Sequence, residues 1–229
     1  MYRNRAHRLG VLLTSLVIML APHPTRAATA GSGPGAPLAS SFPGPLWQVV
    51  TPVGGTAAVA NAHLTLSVPG GSNHDTLLPA NDSVRVLQPI GNYNFDVAIK
   101  IDSPITATDP GTSRGLMVFA DNKDFITFAL VTDGTNIALT ARTVSAGVAA
   151  TVFNQASFNE YHNPICLRLT RSGSTYAAYY SVDGVVWTLA ASFVYSSVPA
   201  LIGPFASNYN PTPPRAVPVV MAINWFDVL

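Results

Sequence analysis

Acid–base and metal chemistry begin with carboxylates and imidazoles, and this chain is sparing with both. It holds one glutamate, Glu160, and ten aspartates; after its first thirty residues it holds three histidines, His63, His74 and His162. Hydrolysis of a glycosidic bond needs two carboxyl groups, about 5 to 5.5 Å apart for retention or about 6.5 to 9.5 Å apart for inversion. A pair of glutamates is excluded by composition. An aspartate pair is not, but Asp121, Asp124, Asp133 and Asp183 occupy turn sequences that already explain them. Glu160, within Phe158-Asn159-Glu160-Tyr161-His162-Asn163-Pro164, reads as part of a loop ahead of a strand. Elimination by a Tyr and His pair is the other route to breaking such a bond. Tyr161 and His162 are adjacent, which in an extended chain points them to opposite faces.

Metal chemistry is poorly provided for. The three histidines are isolated, with no His-x-x-x-His spacing and no second cysteine, so zinc is not expected. Asp121-Asn122-Lys123-Asp124 offers oxygens for calcium, but the lysine brings the wrong charge and a hairpin turn explains the run. No cofactor is expected; calcium stays open without support. Asn73-His74-Asp75, beside Gly70-Gly71-Ser72, is the better polar site, and its alternative is a set of caps for a loop. Cys166, in Ile165-Cys166-Leu167-Arg168-Leu169, reads as a small apolar filler of a strand rather than a nucleophile. As the only cysteine, it allows no internal disulfide, and packing alone must hold the fold.

The elements that must position these groups are written in strands. After residue 45, short runs of Val, Ile, Leu, Thr, Phe and Tyr are broken by turn residues every eight to twelve positions, the pattern of a sandwich or barrel. Phe95, Val97, Ile99 and Ile101 alternate with Asp96 and Lys100, placing the apolar set inward. Gly115–Phe119 runs to a turn at 121–124, Phe125–Val131 returns to Asp133-Gly134, and Asn136–Val144 follows. Ile165–Thr170 turns at Arg171-Ser172-Gly173-Ser174 into Thr175–Val182. There Asp183-Gly184 predicts a tight primed turn, with Val185–Ala190 as the return strand carrying Trp187. The stretch Ser181-Val182-Asp183-Gly184-Val185-Val186-Trp187 is one residue short of the sialidase box Ser-x-Asp-x-Gly-x-x-Trp. It occurs once, whereas sialidase propellers repeat it, so a hairpin accounts for it.

Ahead of the strands, Arg3, Arg5 and Arg8 precede an uncharged run over Leu9–Ala21, followed by small residues at 25–30. This is the order of a secretory signal peptide over 1–30, and the run is short of the roughly 20 residues of a membrane span; an uncleaved anchor is the alternative. Residues 31–45, rich in Gly, Pro, Ser and Ala, read as a linker, and 46–229 as one domain. Removing Arg3, Arg5, Arg8 and Arg26 from twelve basic residues leaves eight against eleven acids, a net charge near −3. With only Lys100 and Lys123 as lysines and no basic cluster, nucleic acid is not an expected partner. The expected location is outside the cell or in the periplasm, with no membrane span after signal cleavage.

One ordered series now carries a resemblance. Asn73-His74-Asp75, Val86-Leu87-Gln88, Phe95-Asp96-Val97, Gly115-Leu116-Met117-Val118, Leu167-Arg168-Leu169-Thr170-Arg171-x-Gly173, Tyr180-Ser181-x-Asp183-Gly184-x-x-Trp187, Ile202-Gly203-x-Phe205 and Trp225-Phe226-Asp227-Val228 follow one another over residues 46–229. In this order the chain resembles a concanavalin A-like lectin/glucanase domain, in its bacterial secreted subset. It is similar to the C-terminal module of β-xylosidase-type enzymes. The resemblance implies an all-β, antiparallel two-sheet jelly-roll sandwich whose concave face often receives glycans. The two-glutamate series of jelly-roll glucanases is missing, as are the Gln-Ile-His and Arg-x-Glu-x-Arg segments of jelly-roll lyases.

The expected function is therefore non-catalytic carbohydrate binding. A polysaccharide-active enzyme with an unconventional catalytic pair, or a structural envelope or adhesion module, are the alternatives. Sugar recognition needs flat aromatic surface and planar amides or charges. Tyr209, with Asn208 amid turn residues, and Tyr93, between Asn92 and Asn94, meet that need. Arg114 and Arg142 have the length to cross the concave face. Together with Asn73, His74 and Asp75 these are the candidate binding residues. Trp47, Trp187 and Trp225 are candidates for a platform, although core packing is favoured for Trp187 and Trp225.

Overall fold

The computed structural model describes residues 46–77, 81–211 and 216–228. The export signal expected over 1–30 and the linker over 31–45 lie outside the described residues. Every regular element among the described residues is a strand. In chain order these are β1 (Gln48–Val50), β2 (Thr56–Ala60), β3 (His63–Val68), β4 (Val84–Pro89) and β5 (Phe95–Ile101). There follow β6 (Thr112–Asp121), β7 (Asp124–Thr132), β8 (Ile137–Ser145), β9 (Val148–Gln155) and β10 (Ile165–Ser172). The last four are β11 (Thr175–Ser181), β12 (Thr188–Val194), β13 (Leu201–Asn208) and β14 (Val219–Val228).

They form two seven-stranded antiparallel sheets, a jelly-roll sandwich. Sheet I runs β1-β4-β13-β6-β7-β8-β9, and sheet II runs β12-β11-β10-β5-β14-β3-β2. The alternation read from residues 95–101 is what is found: Phe95, Val97, Ile99 and Ile101 are buried in the main core. They face Leu116, Val118, Ile126, Phe128 and Ile202 of sheet I within the same cluster. Each large aliphatic or aromatic side chain moved from water into that gap contributes roughly 1.5–3 kcal/mol. With Cys166 free, this interlayer packing is the principal cohesion of the fold.

Sheet I is unusual in being apolar on both faces. Leu87, Met117, Phe125, Ala129, Val144 and Phe205 form a second cluster, and strand alternation puts all six on the face turned away from sheet II. Two glycines on the same face mark where neighbouring strands crowd in. A methyl group at Gly115 would fall 2.2 Å from the carbonyl oxygen of Phe128, and one at Gly203 would fall 2.1 Å from that of Val86.

The two Asp-Gly turns are wider than their sequences predict, whereas those at 121–124 and 171–174 are tight, with Asp121 paired to Asp124 and Ser172 to Thr175. Tyr180 pairs with Thr188, so the Asp183-Gly184 reversal spans residues 181–187 rather than two, and Trp187 precedes the return strand. The side chains explain the width. The Ser181 hydroxyl accepts the Gly184 N–H at 2.9 Å, and one Asp183 oxygen accepts the Val185 and Val186 N–H groups, each at 2.8 Å. Asp133 holds the Thr135 and Asn136 N–H groups in the same way, at 2.8 and 2.7 Å.

Gly115→Ala is expected to lower unfolding free energy by about 1–3 kcal/mol through overpacking against Phe128. Urea denaturation read by tryptophan fluorescence checks it; an unchanged midpoint contradicts the crowding.

Candidate functional site

The side chains singled out in the sequence fall in four places. Asn73, His74, Asn208 and Tyr209 come together at one end of the sandwich. His74 and Asn208 form an isolated antiparallel bridge, and the Asn208 side chain, 1% exposed, completes it. Its carbonyl accepts the His74 N–H at 2.9 Å, and its amide donates to the carbonyls of Pro69 and Val217 at 2.8 and 2.7 Å. Asn73 makes a reciprocal pair with the backbone of Asn210 at 2.9 and 2.8 Å. The two His74 ring nitrogens meet Asp82 Oδ2 and Ser72 Oγ, each at 2.9 Å. Asp75 Oδ1 accepts the Leu77 N–H at 3.2 Å. These polar atoms are engaged with one another and with backbone, so the cluster clasps the ends of β3, β13 and β14. Beside it, the Tyr209 ring is exposed.

Tyr93 lies in the loop before β5, 75% exposed, away from the clasp; its carbonyl accepts a hydrogen bond from Arg171 at 2.9 Å. Arg114 departs from expectation. It shares strand parity with Leu116 and Val118, so it enters the gap between the sheets instead of crossing an outer face. It is 4% exposed and donates to the Pro104 carbonyl at 2.8 Å. Burial lowers its pKa, with Tyr161 and Asp109 opposing that shift. Arg142, directly across from Thr127, does stand on the outer face of sheet I.

The three tryptophans fall in two apolar clusters, and those for which the sequence favours core packing, Trp187 and Trp225, share one of them. Trp47 packs edge-on against Phe226, with centroids 5.4 Å apart. Trp187 and Trp225 instead cover Cys166 and Ala98 on the outer face of sheet II. Arg168 lies 5.5 Å from the Trp187 ring and 5.6 Å from Tyr179 while gripping Asp96 through two hydrogen bonds, so a guanidinium takes one face of each ring. Desolvation pushes the Cys166 thiol up to about 11, the state of an inert filler.

A different place leaves several of its polar side chains unengaged. Between the loop 158–164 and the start of β12 lies an open cleft of about 370 Å³, lined by Asn159, Glu160, His162, Tyr180, Ser181, Val182, Asp183, Val186 and Thr188. Ser181 and Asp183 belong to the turn described above. Backbone N–H groups of Val186 and Val185 hold the Asp183 carboxyl below the usual carboxylate range, so it keeps its charge and has no proton to give. Glu160 accepts one hydrogen bond from Gln155 through Oε2 at 2.9 Å. The side chains of Asn159, His162, Tyr180 and Thr188 have no hydrogen-bond partner among the described residues. The Tyr180 ring is braced edge-on by Phe158 at 4.9 Å. Sequence reasoning placed Glu160 and His162 in a loop, but only the register of β10 and β11 shows that this loop faces Tyr180. Tyr161 turns the other way, its oxygen accepting the Ile105 N–H at 2.8 Å.

One histidine–carboxylate pair has the outline of an acid–base dyad without its chemistry. His63 Nε2 lies 2.8 Å from Asp102 Oδ2, and Nδ1 lies 2.7 Å from the Asn61 carbonyl oxygen. These two nearer neighbours are acceptors and favour the doubly protonated ring, while the Asn224 amide nitrogen, a donor, lies farther from Nε2 at 3.4 Å. The hydrogen bond to Asp102 and then that to Asn61 raise its pKa above 6.5. Among the described residues no group of three or more His, Cys, Asp or Glu has the arrangement to hold a metal ion.

No protein-family model and no curated relative matches the chain. Solved structures do. The chain is similar to the GH43 protein BlXynB from Bacillus licheniformis at 17% identity and TM-score 0.62, over 80% of this chain and 36% of that one. It is also similar to a functionally unknown protein from Saccharomyces cerevisiae (15%, TM-score 0.60, 80% of this chain and 94% of that one). A third is the CBM2 module of the evolved Dit of Lactobacillus casei BL23 phage J-1 (10%, TM-score 0.56, 82% and 94%). At such identities the likeness establishes the β-sandwich fold, and the chain spans about a third of the GH43 protein BlXynB.

Two outcomes follow for the polar clusters. Asn208→Ala orphans three buried backbone groups and is expected to cost about 3 kcal/mol of unfolding free energy; a loss below about 1 kcal/mol in denaturant titration contradicts the clasp. Because folding raises the His63 pKa, its stabilisation is full below the unfolded value of 6.5 and fades as pH climbs through the raised folded value. Urea midpoints should therefore fall across that alkaline-going window, and His63→Gln should flatten the step.

Proposed function

We propose that this chain is a secreted, non-catalytic carbohydrate-binding sandwich of the concanavalin A-like type, and that the cleft beside Tyr180 holds the sugar. The supporting observation is the convergence of unengaged polar side chains, Asn159, His162, Tyr180 and Thr188, on one open cleft of about 370 Å³. A sugar offers hydroxyls in several directions and an apolar ring face. Amide, imidazole, phenol and hydroxyl groups answer the first; Tyr180 with Val182 and Val186, which are 46% and 69% exposed, answers the second.

Binding rather than cleavage is favoured by the state of the Asp183 carboxylate. It is held ionised by the backbone of its own turn. Hydrolysis requires one carboxyl to donate a proton to the leaving oxygen, and a carboxylate whose pKa is depressed is the wrong donor. The GH43 proteins and the CBM2 module of similar fold add support for a carbohydrate ligand. A single open cleft of this kind gives affinities between ~1 mM and ~1 μM, about −4 to −8 kcal/mol.

A glycan array with the folded chain, followed by calorimetry on its hits, tests the reading. Tyr180→Ala is expected to weaken binding roughly tenfold, about 1.4 kcal/mol, with the thermal midpoint nearly unchanged. Silence across neutral and acidic glycans removes the proposal. Release of reducing ends, or of unsaturated ends, from a polysaccharide panel replaces binding with catalysis.

A further inference from the structure

Taking the cleft beside Tyr180 as the sugar site, a reading on which this rests, we infer that its ligand is a glycan whose sugars carry free, protonated amino groups, held by Glu160 and Asp183. The observation behind it is a pair of carboxylates, each with an oxygen to spare and no cation to meet. Both acids line the cleft, and no lysine or arginine does. Glu160 accepts the Gln155 amide through Oε2 alone, which leaves Oε1 without a partner among the described residues. Asp183 gathers the Ser181 hydroxyl and the Val185 and Val186 N–H groups on Oδ1, so its Oδ2 is free in the same way. Neither acid takes part in an ion pair among the described residues.

Three other acids of the sandwich are matched. Asp96 is gripped by Arg168, Asp102 by His63 and Lys100, and Asp82 by His74. Lys100, whose charge bears on the Cys166 thiol together with that of Asp183, lies 3.2 Å from Asp102 Oδ1 and is thus already paired. Backbone N–H groups keep Asp183 ionised, so one negative charge at the wall of the cleft is permanent. The turn aspartates Asp121 and Asp133 also lack a cation. What sets Glu160 and Asp183 apart is their company, since they share one concave space of about 370 Å³ with an aromatic ring and unused neutral donors and acceptors.

The ligand class follows from this chemistry. An acidic glycan would bring its carboxylates against two others, and like charges placed together reject the wrong partner. A neutral sugar leaves both spare oxygens to water. A protonated amine brings three donors and a positive charge, and hydrogen bonds between ionised partners are the strong ones. An oligomer carries one such group on each sugar, so the two carboxylates need not share a single ammonium. The Tyr180 ring adds an attraction of its own for a cation. Asn159, His162 and Thr188 then remain for hydroxyls, which a lysine-rich peptide does not offer in that number. The cation is therefore assigned to an amino sugar.

Titration calorimetry of the full chain with three oligomers of equal length and linkage, of glucose, of glucosamine and of glucuronic acid, tests this. At a pH that keeps the amine protonated, the glucosamine oligomer is expected to bind about fivefold to tenfold more tightly than the glucose one. That advantage should shrink as salt is added, and the glucuronic acid oligomer should bind weakest. Asp183→Asn keeps an oxygen for the Val185 and Val186 N–H groups, and Glu160→Gln keeps one for Gln155, so both remove charge while retaining the turn and loop contacts. The doubly substituted chain should bind the glucosamine and glucose oligomers equally. Oligolysine of the same charge is expected to bind more weakly than the glucosamine oligomer; equal binding overturns the sugar assignment in favour of a basic peptide. Equal affinity for the glucosamine and glucose oligomers, or a preference that persists in a folded, doubly substituted chain, overturns the assignment and leaves the cleft to neutral sugars. Silence of all three oligomers overturns it as well, and the glycan array decides separately whether the cleft binds sugar at all. The comparison of oligomers uses the unaltered chain and holds even where a variant does not fold.

Discussion

Two sheets with no disulfide between them stay together only as long as the gap they share is filled. Here Leu64, Ile99, Leu167 and Ile223 of sheet II meet Val86, Leu116, Phe128 and Ile202 of sheet I with no exposure to solvent. That packing fixes the register of every strand, because a slip of one residue would turn an apolar set outward and a polar set inward. At the ends of the strands no such filling is available. Backbone groups there would be left without partners, and Asn208, Asn73, Ser181, Asp183 and Asp133 supply the missing donors and acceptors. Much of the polar inventory is thus consumed by closing the sandwich.

This division separates structural polar residues from candidate ligand contacts. A side chain whose every polar atom is already bonded to protein gains little from a ligand, since binding must first break what exists. By that measure Asn208 and His74 belong to the fold, whereas His162, Tyr180 and Thr188 retain capacity for something outside it. His162 lies on the loop 158–164, and Tyr180 and Thr188 stand at the facing ends of β11 and β12.

The sequence disclosed the sandwich and most of its strand order because one face of sheet II meets water. Phe95 to Ile101 shows period two, since Asp96 and Lys100 look outward. The corresponding run in sheet I, Arg114-Gly115-Leu116-Met117-Val118-Phe119, carries apolar residues on both faces, so the alternation that would assign a side vanishes. Arg114 and Arg142 were therefore indistinguishable in sequence, although one points into the core and the other away from it. The wide turn at 181–187 was hidden for a related reason. Asp-Gly marks a reversal, but its length was set by how many N–H groups Ser181 and Asp183 gather, and that depends on the strand partners. The cleft escaped notice because Glu160 and Tyr180 are twenty positions apart and meet only through the pairing of β10 with β11.

The same physics bears on the charge state of the turn aspartates. Catalysis on a sugar needs a carboxyl kept protonated near neutral pH, commonly by burial beside apolar groups or by a second acid. The carboxylates at Asp183 and Asp133 experience the opposite, since backbone N–H groups draw their pKa values down. The turns that let this chain reverse direction thereby stabilise the charged form of those aspartates, in solvent, where no proton is stored. Arg114, a charge that faces the gap from β6, is a cation bound to the Pro104 carbonyl, and Asp96, an acid on the outer face of β5, is paired with Arg168. The groups left open around the Tyr180 cleft, Asn159, His162, Tyr180 and Thr188, offer donors and acceptors that no protein group uses, which suits the binding role proposed above.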